Sequence, residues 1–245
     1  MLITERLTML SFIIPAHNEE RLIAQTIRSL HDAATAIGEP YEIIVADDAS
    51  TDVTASIAAA GGARVVSVSF RQISAARNAG AAAAQGDMLV FVDADTRVTA
   101  AVVGAAVRAM REGAVGGGSR ARFEGRVPFY GRIMAWAWLE IIQPLTRVAA
   151  GCFIFCTRSS FEAAGGFDPS LYAAEDVILS RRLGRLGRFV IVREEVVTSG
   201  RSLRSNSGFE FLRLAVNFVW RGPGFFTTRR GPWYGPRNDP DIPTE

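Results

Sequence analysis

The sequence predicts an α/β protein: a mixed, mainly parallel central sheet flanked by helices in a single domain, with a C-terminal helical extension. Three observations carry that expectation. Hydrophobic residues make up 49% of the 245 positions and charged residues 21%, which excludes a disordered chain and suits a globular enzyme. Between residue 10 and about residue 113, short apolar runs alternate with stretches whose apolar side chains recur at helical spacing. One run, LVFV at 89–92, is rich in β-branched and aromatic residues, as a strand buried on both faces requires. It stops abruptly at Asp93 and Asp95, with Ala94 between them.

The elements follow in order. LSFIIP is a strand, after which Asn18 is expected to cap a helix carrying Leu22, Ile23, Ile27 and Leu30 at helical spacing. YEIIVADD is a second strand, followed by a helix opening near Ser50 to Asp52 and closing at Gly61 and Gly62. ARVVSVSF is a third strand, and Ser74 is placed as the cap of the next helix. DMLVFVDAD is the fourth strand, and Thr99 caps the helix that runs to Gly113. Residues 116–160 are less regular; IMAWAWLEII has helical spacing and reads as core packing slightly more readily than as a cleft wall. Beyond the glycine turn at Gly165 and Gly166, the pair Glu175 and Asp176 opens a helix, where negative charge also suits the helix dipole.

Composition limits the functional classes. A formal charge of +2 is too small to imply a nucleic-acid partner, although arginines concentrate from Arg181 through Arg229 and Arg230. The N-terminus lacks a basic leader with a long apolar core, and no segment approaches the length of a membrane span, so a cytoplasmic protein is expected. Cys152 and Cys156 lie too far apart along a strand to bond readily and are expected to be small buried residues. Phe209, Phe211, Trp220 and their arginine-rich neighbours form an amphipathic stretch suited either to a membrane interface beside a lipid-linked acceptor or to packing on the core. The tail after Gly231 is expected to be loosely ordered.

Three strands end alike: the first in PAHNEE, the second in Asp47 and Asp48, the fourth in Asp93 and Asp95. If these strands are parallel, all three polar tips meet at one rim of the sheet, where open α/β sheets bind ligands. Ordinary turn-forming and capping would explain each tip singly, but so many carboxylates on one edge call for a cation, hydrogen-bond donors, or both.

Four ordered segments then resemble family 2 glycosyltransferases, the inverting nucleotide-sugar transferases of the GT-A fold: SFIIPAHNEE, EIIVADDASTD, SAARNAGAAAAQGDMLVFVDAD and GGFDPSLYAAEDVILSRRLGRLG. The resemblance covers about residues 11–186. It implies a catalytic domain over 1–205, with a nucleotide-sugar half at about 8–113 and an acceptor half at about 114–205, followed by an extension at 206–245. It implies that Pro15, Ala16 and His17 line the nucleoside pocket, with Glu19 near the ribose and Asp48 or Asp47 accepting from the base. Arg77 is implied as a forked contact to a phosphate and Asn78 as orienting that loop. Asp95 is the leading ligand for Mn²⁺ or Mg²⁺, and Asp93 a ribose or second metal contact. Asp176 is implied as the base that takes the acceptor hydroxyl's proton, with Glu175 positioning the acceptor or sharing that role. The resemblance implies that Gly151 and Cys152 belong to the acceptor-side strand, and Trp136, Trp138 and Phe129 either flank the acceptor cleft or, slightly favoured, pack in the core.

The later metal-binding histidine of some related transferases is missing, since His17 and His31 both fall early. Arg201 or Arg204 is expected either over the diphosphate as a lid or in a solvated basic loop. The expectation is therefore transfer of one sugar from a UDP- or GDP-sugar to a hydroxyl acceptor, glycan or lipid-linked, with peripheral membrane contact at the cytoplasmic face. The alternatives are a sugar nucleotidyltransferase and a catalytically silent nucleotide-sugar-binding protein.

Overall fold

The computed structural model describes residues 8–125, 127–205, 213 and 227. The amphipathic stretch and tail expected after residue 205 therefore lie almost wholly outside the described residues.

The regular alternation reads through to the fold. Strand β1 (Leu10–Ala16), helix α1 (Ile23–Ile37), β2 (Tyr41–Asp48), α2 (Thr54–Ala60), β3 (Arg64–Val68), α3 (Ile73–Ala83) and β4 (Met88–Val92) come first. A two-residue β5 (Thr96–Arg97) and α4 (Ala100–Arg111) follow. The second half comprises β6 (Gly116–Glu124), α5 (Phe129–Ala137), a π-helical turn (Trp138–Ile142), α6 (Gln143–Thr146), β7 (Phe153–Thr157), α7 (Arg158–Ala163), α8 (Glu175–Leu186), β8 (Phe189–Ser199) and α9 (Arg201–Ser205). The strands form one sheet in the order β3-β2-β1-β4-β7-β6-β8-β5. β3, β2, β1 and β4 run parallel, β7 runs antiparallel to both β4 and β6, and β8 pairs parallel with β6.

The central strands are largely apolar because both of their faces are covered. Along β1, Leu10, Phe12 and Ile14 join one core while Ile13 joins the other; along β4, Val90 and Val92 face the first and Leu89 and Phe91 the second. Glycine permits a close approach: a Cβ on Gly80 would stand 2.5 Å from Ile13 Cγ2, so α3 can lie directly on β1. That contact brings Arg77, on the same helix, to the carboxyl end of the sheet.

Helix starts divide into local and tertiary cases. Thr99 accepts from the Val102 amide at 3.4 Å, the expected cap. Asn18 does not cap α1, which begins later, at Ile23. Its backbone is left-handed at φ 53°, and its side-chain oxygen accepts from the Thr51 amide at 2.8 Å, tying two rim loops together. Ser74 lies inside α3, its hydroxyl donating to the Leu171 carbonyl at 3.2 Å. The start of that helix is set instead by Asp48, whose carboxylate accepts from the amides of Arg71 and Gln72, each at 2.7 Å.

Candidate active site

The carboxyl ends of β1, β2 and β4 meet at one rim, with Ala16 level with Asp47 in the parallel ladder. Asp93 leaves β4 there. Arg77 reaches it from α3 at 2.7 Å, while its other terminal nitrogen contacts Glu175 at 2.8 Å. The guanidinium also donates to the Gly151 carbonyl at 3.0 Å and lies 5.1 Å from the centre of the Phe167 ring. Arg77 is 1% exposed. Burial opposes its charge, but Asp93 and Glu175 outweigh that and hold its pKa above the ordinary arginine value. Arg77, expected to fork onto a phosphate, divides its guanidinium between two carboxylates. Both kinds of partner satisfy the same fork, and the carboxylates are already in place.

Asp176 completes this cluster. A Cβ on Gly151 would come within 3.2 Å of its Oδ2, so the glycine leaves the carboxyl room. Asp176 Oδ1 accepts from the Val177 amide at 2.8 Å, at the start of α8. Burial first, then the adjacent Glu175 charge, push its pKa up to about 7, with Arg77 acting in the opposite direction. Glu175 is 7% exposed and paired, whereas Asp176 is half-buried. The pair therefore divides into an anchored carboxylate and one whose proton affinity is near neutrality.

A second cluster forms on the donor-side loops. Arg201, at the start of α9, grips Glu19 through both terminal nitrogens at 2.9 and 3.1 Å and reaches Asp95 at 3.2 Å. Arg201 and Glu19 are 7% and 5% exposed, which excludes the solvated basic loop for this arginine. Glu19, expected near a ribose, is thus held in a buried ion pair. Asp95 also accepts from the Thr198 hydroxyl at 3.4 Å. His17 places Nδ1 2.8 Å from the Asp48 carbonyl and 3.2 Å from the Arg71 guanidinium. Pro15 and Ala16 are buried in the last turn of the strand beside it.

The aspartates ending β2 differ. Asp48 is occupied by the 71–72 backbone, but Asp47 Oδ1 is buried without a hydrogen-bond partner among the described residues. Asn78 clamps the glycine turn by donating to the Phe167 carbonyl at 2.8 Å and accepting from its amide at 3.0 Å. Cys152 and Cys156 are free thiols, and burial pushes both pKa values up. Among the described residues, no three His, Cys, Asp or Glu side chains are grouped to hold a metal ion.

The helix at 129–146 overturns the core-packing expectation. Phe129 is 77% exposed and Trp136 59% exposed, because helical spacing marks a face without saying which way it turns. Arg201 is the site residue that sequence reasoning valued least well. No local signal marks it, because its partner Glu19 lies 182 positions earlier.

Comparison with known proteins agrees with this architecture. Validoxylamine A glucosyltransferase of Streptomyces hygroscopicus subsp. jinggangensis is 32% identical over 96 residues, which is 37% of this chain and 22% of that protein. Undecaprenyl-phosphate 4-deoxy-4-formamido-L-arabinose transferase of Enterobacter sp. is 33% identical over 98 residues, 37% of this chain and 30% of that protein. The chain thus spans under a third of the length of these curated relatives. Glucosyl-3-phosphoglycerate synthase from Mycobacterium tuberculosis, solved with Mn²⁺, UDP and glucosyl-3-phosphoglycerate, superposes with a TM-score of 0.61 at 26% identity, covering 89% of this chain and 80% of that one. The likeness is one of fold, the GT-A type of mixed sheet flanked by helices. Residues 11–164 match Glycosyl transferase family 2, and the chain belongs to that family.

Proposed function

We propose that this protein is an inverting transferase that moves a single sugar from a UDP- or GDP-sugar to a hydroxyl acceptor. The observation that carries the reading is the Arg77 tie, which joins Asp93 on the donor rim to Glu175, next to Asp176, at 2.7 and 2.8 Å. One cleft can then hold the leaving diphosphate and the incoming hydroxyl together.

Each residue has a role that its surroundings suit. Pro15, Ala16 and His17 form the wall against the base, and the unpaired Asp47 Oδ1 accepts from a base N–H. Asn78 holds the glycine turn that shapes the acceptor side. Asp176 accepts the proton of the acceptor hydroxyl as that oxygen bonds to the anomeric carbon. The bond from that carbon to the diphosphate oxygen breaks on the opposite face, its electron pair leaving with the nucleotide, and the configuration inverts. Glu175 keeps Arg77 in position behind this step.

The hard oxygens of Asp95 and Asp93 would suit Mn²⁺ or Mg²⁺, with further ligands coming from the diphosphate, since among the described residues no third candidate side chain joins them. When bound, such an ion supplies positive charge at the departing phosphate. Arg201 offsets part of the charge of Asp95 and Glu19, and its guanidinium is placed to turn onto a diphosphate held there. A lipid-linked acceptor has support from the Enterobacter relative, whose name specifies undecaprenyl phosphate. We place the protein at the cytoplasmic face of a membrane. Among the described residues no helix is long and apolar enough to cross one.

A thermal-shift series with UDP, GDP and dTDP tests the donor half. At a hundred times Kd, the matching nucleotide with Mn²⁺ should stabilise the fold by about 2.7 kcal/mol. For a chain of this size that is roughly 5–10 °C in Tm. EDTA should remove most of it, and Asp47→Ala should weaken binding about tenfold through the lost acceptor. A flat response to all three nucleotides would sink this reading.

A further inference from the structure

Residues 129–146 form one continuous helical run, from α5 through the π-helical turn into α6, about 27 Å long at 1.5 Å per residue. Only Gly131 and Gln143 of these positions are buried. Nine large apolar side chains stand exposed among the described residues, and six belong to this run: Phe129, Ile133, Trp136, Ile141, Ile142 and Leu145. Such concentration is not scattered surface hydrophobicity.

The π-helical turn gives five of these side chains, all but Ile142, a common direction. Phe129, Ile133 and Trp136 are spaced i, i+4, i+7, one stripe of an α-helix. Ile141 and Leu145 fall at i+12 and i+16, which an unbroken α-helix would rotate off that stripe. A π-bulge accommodates one extra residue, so the two positions act as i+11 and i+15 and return to it. The stripe persists across the irregularity with Leu145 80% exposed at its end.

Charge lies where an interfacial helix needs it. Immediately beyond Leu145, Thr146 and Arg147 enter a depression of about 200 Å³ that is also lined by Arg181 and Arg188, with no acidic residue among its lining. Arg188 donates to the carbonyls of Ala109 and Glu112 and lies 3.8 Å from the Glu112 carboxylate; Arg147 and Arg181 are exposed. The run's single acid, Glu140, is already paired with Arg120. Apolar side chains ending at a cluster of guanidiniums complement a bilayer, with acyl chains beneath the stripe and phosphodiesters at the arginines. A second copy would offer the exposed Arg147 and Arg181 no anionic partner from this patch, whose one acid, Glu140, is already paired.

We propose that residues 129–147, with Arg181 and Arg188, form a docking surface for a bilayer containing anionic phospholipid. This surface does not depend on the transfer reaction, and its test reads no turnover. The full-length protein is floated with vesicles of phosphatidylcholine alone or mixed with phosphatidylglycerol. The wild type should float with the mixed vesicles and release in high salt. Ile133→Ser combined with Leu145→Ser should lower the bound fraction about tenfold with Tm unchanged. Arg147→Glu combined with Arg181→Glu should abolish the preference for phosphatidylglycerol. The proposal fails if the wild type ignores anionic vesicles or if the Ile133/Leu145 variant floats as before. It fails equally if Phe225→Ser with Phe226→Ser alone abolishes flotation, which would assign the contact to the C-terminal segment. A dimer in light scattering that the Ile133/Leu145 variant dissociates would assign the stripe to a second copy and also overturn it.

Discussion

Asp176→Asn is expected to lower transfer about 10³-fold while leaving the nucleotide-induced rise in Tm intact, the mark of a lost general base rather than a lost donor site. The substitution keeps the shape beside Gly151 and removes only the capacity to take a proton. The pH profile should identify the group. Burial and Glu175 push the Asp176 pKa up to about 7, and a base must be ionised to act, so kcat/KM should fall about tenfold per unit as pH drops below that value. Stability runs the other way. The folded protein holds this proton more tightly than the unfolded chain, so the contribution is full below the ordinary carboxyl value of 3.8 and is lost as pH rises through about 7. Asparagine cannot ionise and escapes that loss, so at pH 8 the variant should melt no lower than wild type. Turnover unchanged in Asp176→Asn would return the protein to the alternative of a silent nucleotide-sugar binder.

What sequence could and could not disclose follows from the range of each interaction. Strands β1, β2 and β4 are legible because a strand covered on both faces must be apolar until it stops, and their polar tips then mark one rim. Thr99 is legible because a cap satisfies an amide three residues away. Ser74 misleads because Asp48, on another strand, fixes where α3 begins. Arg77 and Glu175 stand 98 positions apart, and nothing local distinguishes an arginine destined for a carboxylate from one destined for a phosphate. The periodicity of residues 129–146 likewise specifies a helix, whereas its exposure depends on how little of it the sheet covers.

Arg77→Ala is expected to be the most damaging single change to stability. It leaves Glu175, at 7% exposed, without the partner that neutralises it, and Asp93 and Asp176 beside it in the same cluster. Removing one side of a buried ion pair costs about 3–5 kcal/mol. At roughly 2–4 °C per kcal/mol for a chain of this length, Tm should fall by about 6–20 °C. Arg77→Lys should recover only part of that loss. A single ammonium can neutralise charge but cannot span Asp93, Glu175 and the Gly151 carbonyl with one planar fork. A purely structural arginine would change nothing further. Because the Arg77 charge holds the Asp176 pKa down against burial, its loss should also move the rising limb of the pH profile toward alkaline values. Measured in Arg77→Lys, which retains the charge, the limb should stay near its wild-type position. A Tm and a profile both unchanged in Arg77→Ala would mean that the donor rim and the acceptor carboxylates are not joined through this guanidinium, and the single-cleft mechanism would lose its support.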